Sequence, residues 1–243
     1  MESGLHPEWL QRTELLLGSD RLAKLRGAHI LVVGLGGVGA YAAEMLCRSG
    51  IGKMTIVDGD KIHPTNRNRQ LIALSSLEGQ PKAEAMGRRL LDINPDLDLT
   101  VHDEYIRDDR MIEILQGEYD FVVDAIDTLA PKVFLIYHSV RLGKRITSSM
   151  GAGGKYDPSL VRAADLAESY NCKLASTLRK RLHGLGIYTG VTVVFSPEKV
   201  HPDTIVETIG EPNKRSTVGT ISYMPPVFGC HLASVVIRQL SGT

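Results

Sequence analysis

Cysteine is scarce in this sequence, since only three residues, Cys47, Cys172 and Cys230, are scattered over 243 positions. An odd number of cysteines without a CxxC pair cannot build a disulfide framework or a zinc site with four cysteine ligands. We therefore expect no zinc. We interpret Cys172 as incidental and Cys230 as a small buried residue of a final helix.

Long hydrophobic runs and an excess of charge of one sign are also missing. No segment reaches the roughly 18 apolar residues of a membrane-spanning helix, and the charged amino terminus lacks the apolar stretch of a signal peptide. The 28 Lys and Arg residues balance 28 Asp and Glu residues, so a polyanionic partner needs a local basic patch. We expect a cytoplasmic protein that has no membrane partner.

The fold class follows from the alternation of strand-like and helical patterns in the first 150 residues. Strands are predicted at residues 28–33, 53–57, 97–101, 121–124 and 145–149, and helices at 40–49, 82–93, 110–115 and 131–142. This order predicts an α/β fold of the Rossmann-like, doubly wound type with a mainly parallel sheet.

The alternation lapses beyond Met150, where a strand is predicted at residues 191–195 and a final helix at 225–240. We predict one domain over residues 1–243. Within it, residues 1–150 form the nucleotide-binding part, and residues 151–243 form an appended, less regular carboxy-terminal third that faces the substrate.

A glycine-rich segment follows the first strand and opens the first helix of this pattern. Gly34, Gly36 and Gly39 fit G-x-G-x-x-G, in which the first glycine makes a turn, the second admits phosphate and the third lets the helix meet the strand. Asp58 ends the next strand, where a carboxylate accepts ribose hydroxyl protons. The pattern predicts a nucleotide site, and close packing of helix on strand is the alternative.

Cationic and amide side chains follow Asp58. Arg67 and Arg69 stand among amides just after it, and Lys82 opens the next helix. A triphosphate needs such charge and a dinucleotide does not, so we favour ATP over NAD. Arg67 fits a solvated surface position better than a ligand position.

Asp127 lies just after the fourth predicted strand, at the sheet edge where ligands bind in such folds. A carboxylate there can hold Mg²⁺ against phosphate oxygens. The alternative is that Asp127 caps the helix that begins near Thr128, and the two roles can coexist.

These segments together resemble the E1-like adenylating family, which includes the MoeB and ThiF activators of sulfur-carrier proteins. The likeness is carried by residues 34–39, 58–60, 66–70, 79–82, 93–95 and 124–127. It implies a homodimeric, ATP-dependent adenylating enzyme in which Asp127 holds Mg²⁺ and Arg12 crosses to the partner subunit's ATP. The implied nucleotide-binding residues are Gly34, Gly36, Gly37, Gly39, Asp58, Asp60, Asn66, Arg69, Gln70 and Lys82, and the implied catalytic residues are Arg12, Arg69, Lys82 and Asp127.

The second half resembles the branch of this family that acts on tRNA, chiefly at residues 151–158, 178–182 and 222–229. This likeness implies that the enzyme adenylates the carboxylate of N6-threonylcarbamoyladenosine next to the anticodon, and that the product cyclises with release of AMP and pyrophosphate. Activation of a carrier protein's carboxy terminus, an NAD-dependent oxidoreductase and a nucleotide-binding scaffold stay open as alternatives. So do a sulfur-transfer protein partner and a monovalent cation in the glycine-rich loop.

A basic run near residues 173–183 is the local patch on which a tRNA partner would depend. Leucines spaced by four predict that one helix face is buried, namely Leu174, Leu178 and Leu182. We interpret the cations beside them as RNA-binding residues: Lys173, Arg179, Lys180 and Arg181. A solvated helix face is the alternative, and because no aromatic side chain interrupts the run, base stacking is not indicated.

Overall fold

The computed structural model of the chain describes residues 6–207 and 216–243. The other residues of the predicted domain, 1–5 and 208–215, lie outside this description. The elements of the first half are α1 (Gln11–Leu17), α2 (Ser19–Gly27), β1 (His29–Val33), α3 (Gly39–Arg48), β2 (Lys53–Val57), α4 (Lys82–Ile93), β3 (Asp98–His102), α5 (Asp108–Leu115) and β4 (Phe121–Asp124).

The second half adds fewer regular elements, and these are α6 (Leu129–Arg141), β5 (Ile146–Ser149), β6 (Arg162–Asp165), α7 (Lys173–Gly184), β7 (Thr192–Phe195), β8 (Ile205–Glu207), β9 (Ser216–Val218) and α8 (Met224–Ser241). Across residues 6–207 and 216–243, no helix is long and apolar enough to cross a bilayer.

A single large sheet organises the described part of the chain, with strand order β3-β2-β1-β4-β5-β7-β6. All neighbouring pairs are parallel except β6 and β7, which are antiparallel. Strands β8 and β9 form a separate antiparallel pair. The predicted doubly wound, mainly parallel sheet is therefore confirmed.

The central strand β1 is buried on both faces, which explains its continuous apolar sequence. Successive side chains of a strand point to opposite faces. Ile30 and Val32 accordingly join one apolar cluster, with residues of α3, α4 and α8, whereas Leu31 and Val33 join a second cluster, with residues of α5, α6 and α7. The sheet is thus covered by helices on both sides.

The boundaries predicted in the first half agree with the structure to within two residues, and those of β2, α4 and β4 agree at both ends. Strand β6 is missed by the sequence pattern. Its residues are Arg-Ala-Ala-Asp, which have low strand propensity, and they lie half-exposed at the sheet edge. The β8–β9 pair is also missed, because each strand has three residues.

The last helix, α8, packs against α3 at very close range. A Cβ atom on Gly229 would lie 2.5 Å from the Val38 carbonyl oxygen, so only glycine allows this approach. The neighbouring Cys230 is exposed, and its predicted burial was wrong. It lies about 100° around α8 from Gly229, outside the buried stripe that faces the core.

A buried ion pair fixes the end of β4. The Lys132 ammonium donates to Asp124 Oδ2 at 2.7 Å and to Ser148 Oγ at 3.1 Å, and the Ser148 hydroxyl donates to the same carboxylate oxygen at 2.6 Å. Asp124 Oδ1 accepts from the Ile126 amide at 3.0 Å. Both charged side chains are inaccessible to solvent, so the pair locks β4, β5 and α6 together.

Replacing Lys132 with Met is expected to lower the free energy of unfolding by about 3–5 kcal/mol, because it strands a buried carboxylate. Urea unfolding measures this loss. The control is Lys53→Met, which removes an exposed ion pair with Asp98 and is expected to cost about 1 kcal/mol or less. Equal losses for the two variants would contradict the structural role of the buried pair.

Candidate functional site

The predicted site residues of the first half gather at the carboxyl ends of the parallel strands. The glycine-rich loop follows β1, Asp58 follows β2, and residues 124–127 close β4. Strand β1 lies between β2 and β4, so the chain winds away from β1 in both directions. Ligands of doubly wound sheets bind in the crevice at this switch point.

Two of the three fingerprint glycines are required by packing. Gly34 has φ +88°, and a Cβ atom there would lie 2.8 Å from the Ala125 carbonyl oxygen. A Cβ atom on Gly39 would lie 1.8 Å from the Gly34 carbonyl oxygen. A Cβ atom on Gly36 would meet only Gln70 Nε2, at 3.7 Å, so packing does not demand glycine at position 36, and the open space beside it admits a ligand.

The first turn of α3 supports binding of an anion. Val38 is the N-cap residue, and no side chain in the described residues caps this helix. The first amide groups of a helix have no partner inside it, and they carry the positive end of the helix dipole. Here they lie in the glycine-rich loop, so the loop and the helix together can bind phosphate.

Asp58 ties the loop to the following strand end. Its carboxylate accepts from the Leu35 amide at 2.6 Å and from the Asp60 amide at 2.8 Å, through different oxygens. Each oxygen retains a second lone pair, which can accept from a hydroxyl group. Burial raises the pKa of the Asp58 carboxyl, and the nearby Lys82 ammonium acts in the opposite direction.

Lys82 is a buried lysine whose ammonium lies at this site. It donates to Asp60 Oδ2 at 2.7 Å, and the Lys82 side chain is 5% exposed. The Tyr105 hydroxyl donates to the other oxygen of Asp60, which raises the pKa of Tyr105 to about 12. Tyr105 was not predicted, because it is 45 positions from Asp60 and only the sheet brings them together.

The amide and guanidinium groups of residues 66–70 form the wall beside the glycine-rich loop. Asn66 Oδ1 accepts from the His63 amide at 3.1 Å, and Arg69 Nη1 donates to the Thr65 carbonyl and to Asn68 Oδ1 at 2.9 Å each. Gln70 Oε1 is buried without a hydrogen-bond partner among the residues described. Such an atom beside Gly36 is free to accept a hydrogen bond from a bound ligand or a water molecule.

Arg67 differs from its neighbours, because it forms an ion pair with Glu78 at 2.5 Å on the surface. This contact agrees with the solvated position that the sequence favours for Arg67.

Asp60 and Gly37 complete the set of predicted nucleotide-binding residues. Gly37 is packed tightly, because a Cβ atom at this position would lie 3.0 Å from Pro225 Cβ.

Asp127 is exposed at the edge of the crevice and has no hydrogen bond or ion pair within the described chain. Helix α6 begins at Leu129 with Thr128 as its N-cap, and no described side chain caps it, so capping by Asp127 is not observed. The described residues contain no cluster of three or more His, Cys, Asp or Glu side chains arranged around a metal. One carboxylate with phosphate oxygens is nevertheless a common Mg²⁺ site.

Arg12 lies on α1 near the amino-terminal end of the described chain. It is exposed and makes no hydrogen bond or ion pair in the described residues. Leu15 and Leu16 beside it are 81% and 82% exposed, and Trp9 is 43% exposed. Three large apolar side chains in one short segment are unusual on a free surface.

The basic helix α7 divides its cations between two environments. Lys173, Lys180 and Arg181 are exposed, whereas Arg179 Nη1 donates to the Leu166 carbonyl at 3.1 Å and to the Ser169 carbonyl at 2.8 Å. Arg179 therefore stabilises the preceding loop, whatever else it contacts. The opposite face packs inward as predicted, with Leu178 and Leu182 buried and Leu174 partly buried.

Comparison with known proteins identifies similar chains over nearly the full length. Residues 10–243 match the ThiF family. The chain is 40% identical to the tRNA threonylcarbamoyladenosine dehydratase of Escherichia coli K12, over 81% of this chain and 77% of that protein. It is 38% identical to the Bacillus subtilis protein of the same name, over 77% of this chain and 74% of that one.

A solved structure is similar over almost the whole chain. The crystal structure of the Escherichia coli tRNA N6-threonylcarbamoyladenosine dehydratase in complex with ATP superimposes with a TM-score of 0.86 and 35% identity. The match covers 98% of this chain and 96% of that one. The strand order and the glycine-rich crevice described above thus belong to a fold already seen with a nucleotide.

The contrast between the glycines is testable. We expect Gly36→Ala to fold with the parental melting temperature but to weaken binding of ATP, the ligand that the sequence predicts, by about tenfold or more, because a methyl group would occupy the path of phosphate. Gly39→Ala is expected to lose about 4 kcal/mol of stability or fail to fold. Thermal melts and calorimetric titrations measure both. Parental ATP affinity in Gly36→Ala would refute the assignment.

Proposed function

The chain belongs to the ThiF family, and from that premise we infer that it is an ATP-dependent enzyme that dehydrates N6-threonylcarbamoyladenosine in tRNA. The observation that carries this function is the crevice between β1 and β4. There a loop shaped by glycine, an anion-binding helix end, the Asp58 carboxylate and a buried lysine stand together, in a chain that matches tRNA-dehydrating relatives over most of its length.

The reaction requires no nucleophile from the protein. A carboxylate oxygen of the threonyl group attacks the α-phosphorus of ATP, and pyrophosphate leaves. A nitrogen of the substrate's own carbamoyl group then attacks the activated carbonyl carbon, and a five-membered ring closes as AMP leaves with the former carboxylate oxygen. The net change in the nucleoside is loss of one water, and proximity within one substrate replaces covalent catalysis.

The nucleotide contacts are assigned by chemistry. Gly34, Gly36, Gly37 and Gly39 shape the loop that receives phosphate, and Asp58 accepts from the ribose hydroxyls. Asp60 holds Lys82 until phosphate competes for its ammonium. The remaining contacts to the triphosphate come from Asn66, Arg69 and Gln70.

A magnesium ion fits the position of Asp127. The Asp127 carboxylate is exposed at the edge of the crevice, and no described residue forms a hydrogen bond or an ion pair with it. Such an ion, when bound, would neutralise phosphate charge beside the α-phosphorus. A monovalent cation in the glycine-rich loop and a sulfur-transfer partner are not needed for these steps and are not part of the proposal.

A homodimer explains the surface of α1. Two leucines that are more than four-fifths exposed suggest an apolar contact, and a second copy of the chain would bury them. The same contact would bring Arg12 to the partner subunit's triphosphate, where a guanidinium can stabilise the charge that develops on pyrophosphate.

The two halves of the chain then divide the work. Residues 1–150 bind ATP, and residues 151–243 face the substrate, with the exposed cations of α7 on tRNA phosphates. A cytoplasmic location is part of this proposal, because tRNA substrates are present there.

Mass spectrometry tests this function directly. After incubation of modified tRNA with the enzyme and ATP, nucleoside analysis should show the loss of one water from each modified nucleoside, with one AMP formed. We expect Lys82→Met to lower kcat/KM by about 10²–10³, because it removes a charge from the site, and Lys53→Met to have no effect. An unchanged nucleoside mass, with AMP formed only on a carrier protein's carboxy terminus, would contradict the proposal.

Complementation of two inactive variants tests the shared site. Arg12→Ala and Lys82→Met subunits damage different halves of one composite site, so mixed dimers contain one intact site. After subunit exchange, an equimolar mixture should recover about a quarter of parental activity. Arg21→Ala, at another exposed arginine, is the control and should be active alone. No recovery in the mixture, with dimers present, would show that Arg12 does not act on the partner subunit's ATP.

A further inference from the structure

Two exposed tyrosines stand beside the nucleotide crevice, although they are 67 positions apart in the sequence. The Tyr223 hydroxyl donates to the Tyr156 main-chain carbonyl at 2.9 Å. Tyr156 is 61% exposed and Tyr223 is 43% exposed. Neither belongs to the ATP contacts assigned above, and we call the two together the tyrosine pair.

The segment that carries Tyr223 is joined to the nucleotide site at both ends. Before it, the Thr220 carbonyl accepts from the Asn68 side chain at 2.9 Å, next to Arg69. After it, Pro225 lies 3.0 Å from the position of a Cβ atom on Gly37 in the glycine-rich loop. Two residues of extended chain span at most about 7 Å, so Tyr223 lies at the rim of the phosphate site.

The backbone at Tyr156 is held just as firmly. The Glu198 carboxylate accepts from the Tyr156 amide at 2.9 Å and from the Asp157 amide at 3.0 Å. The preceding Lys155 side chain is buried, and its ammonium donates to the Ser196 carbonyl at 3.3 Å. A fixed backbone under exposed rings lowers the entropy cost of binding a flat ligand on them.

The length of the substrate arm decides which part of the tRNA reaches the tyrosine pair. The threonylcarbamoyl group joins the adenine to the reacting carboxylate through about five bonds, which extend over roughly 6 Å. When the carboxylate is at the α-phosphorus, the adenine therefore stays within roughly 6 Å of the phosphate site. The tyrosine pair lies at the rim of that site.

We propose that Tyr156 and Tyr223 form a stacking platform for the adenine base that carries the modification, which directs its threonyl arm to the α-phosphorus. The proposal rests on the proposed function. It extends that function by a site for the base, because RNA modules commonly bind unstacked bases of loops on aromatic rings. The sequence pattern alone does not indicate this site.

The position of α7 agrees with this arrangement. Cys172, the N-cap residue of α7, lies near the Lys155 ammonium. The exposed Lys173 therefore begins α7 near the tyrosine pair. The tyrosine pair would then bind the base while the first turn of α7 binds the neighbouring phosphates.

Stacking and phosphate contacts are separated by their salt dependence. We expect Tyr156→Leu and Tyr223→Leu each to raise the Kd for modified tRNA about tenfold with an unchanged slope of log Kd against log salt, because no charge is lost. Lys173→Gln should reduce that slope by about one. Phe134→Leu, at a residue 47% exposed on α6, is the matched aromatic control and should leave tRNA affinity unchanged.

Aromatic replacement and ATP binding complete the test. Tyr156→Phe should retain parental tRNA affinity, and ATP affinity should stay parental in every tyrosine variant. Parental tRNA affinity in both Leu variants, while the parent dehydrates tRNA, would overturn the platform and leave the proposed function standing. A parent that neither binds nor dehydrates tRNA would instead overturn the function. Leu variants impaired only on a carrier-protein peptide would assign the tyrosines to a protein substrate and overturn the platform.

Discussion

The close approach of the first turn of α3 to the ends of β1 and β4 is the constraint on which the site depends. Gly39 lies against the Gly34 carbonyl, and Gly34 lies against Ala125, with no space for a side chain at either position. This close packing leaves the amide groups at the start of α3 facing the crevice. In the same loop, the Leu35 amide donates to the Asp58 carboxylate. The buried pair of Asp124 and Lys132 fixes the other wall, so phosphate meets a preformed backbone.

Helix α3 also positions the carboxy-terminal third of the chain. Helix α8 contacts α3 where Gly229 meets Val38, and its first turn then places Pro225 against the glycine-rich loop. The segment before α8 carries Tyr223. The Thr220 carbonyl in that segment accepts a hydrogen bond from the Asn68 side chain, in the wall beside the glycine-rich loop. The glycine-rich crevice and the segment that carries Tyr223 are therefore connected directly through contacts of a few residues.

Local patterns were sufficient to predict the central part of this fold. The apolar run of β1, the glycine spacing and the helix formers of α3 are signals carried by neighbouring residues, and they placed the crevice correctly. Contacts between distant residues carry no such signal. The Tyr105–Asp60 hydrogen bond, the Gln70 Oε1 atom that lacks a partner among the described residues, and the tyrosine pair all depend on how the sheet and α8 bring segments together. The exposure of Cys230 and the inward bonds of Arg179 depend on which helix face meets the core.

The central claim is that this crevice activates the substrate carboxylate at the α-phosphorus of ATP, and an isotope experiment tests it most directly. tRNA whose threonylcarbamoyl carboxylate carries ¹⁸O should transfer one labelled oxygen to AMP during a single turnover, because that oxygen attacks the α-phosphorus and leaves with it. The pyrophosphate should contain no label. Label in inorganic phosphate together with ADP, or label lost only to water, would contradict adenylation at this site.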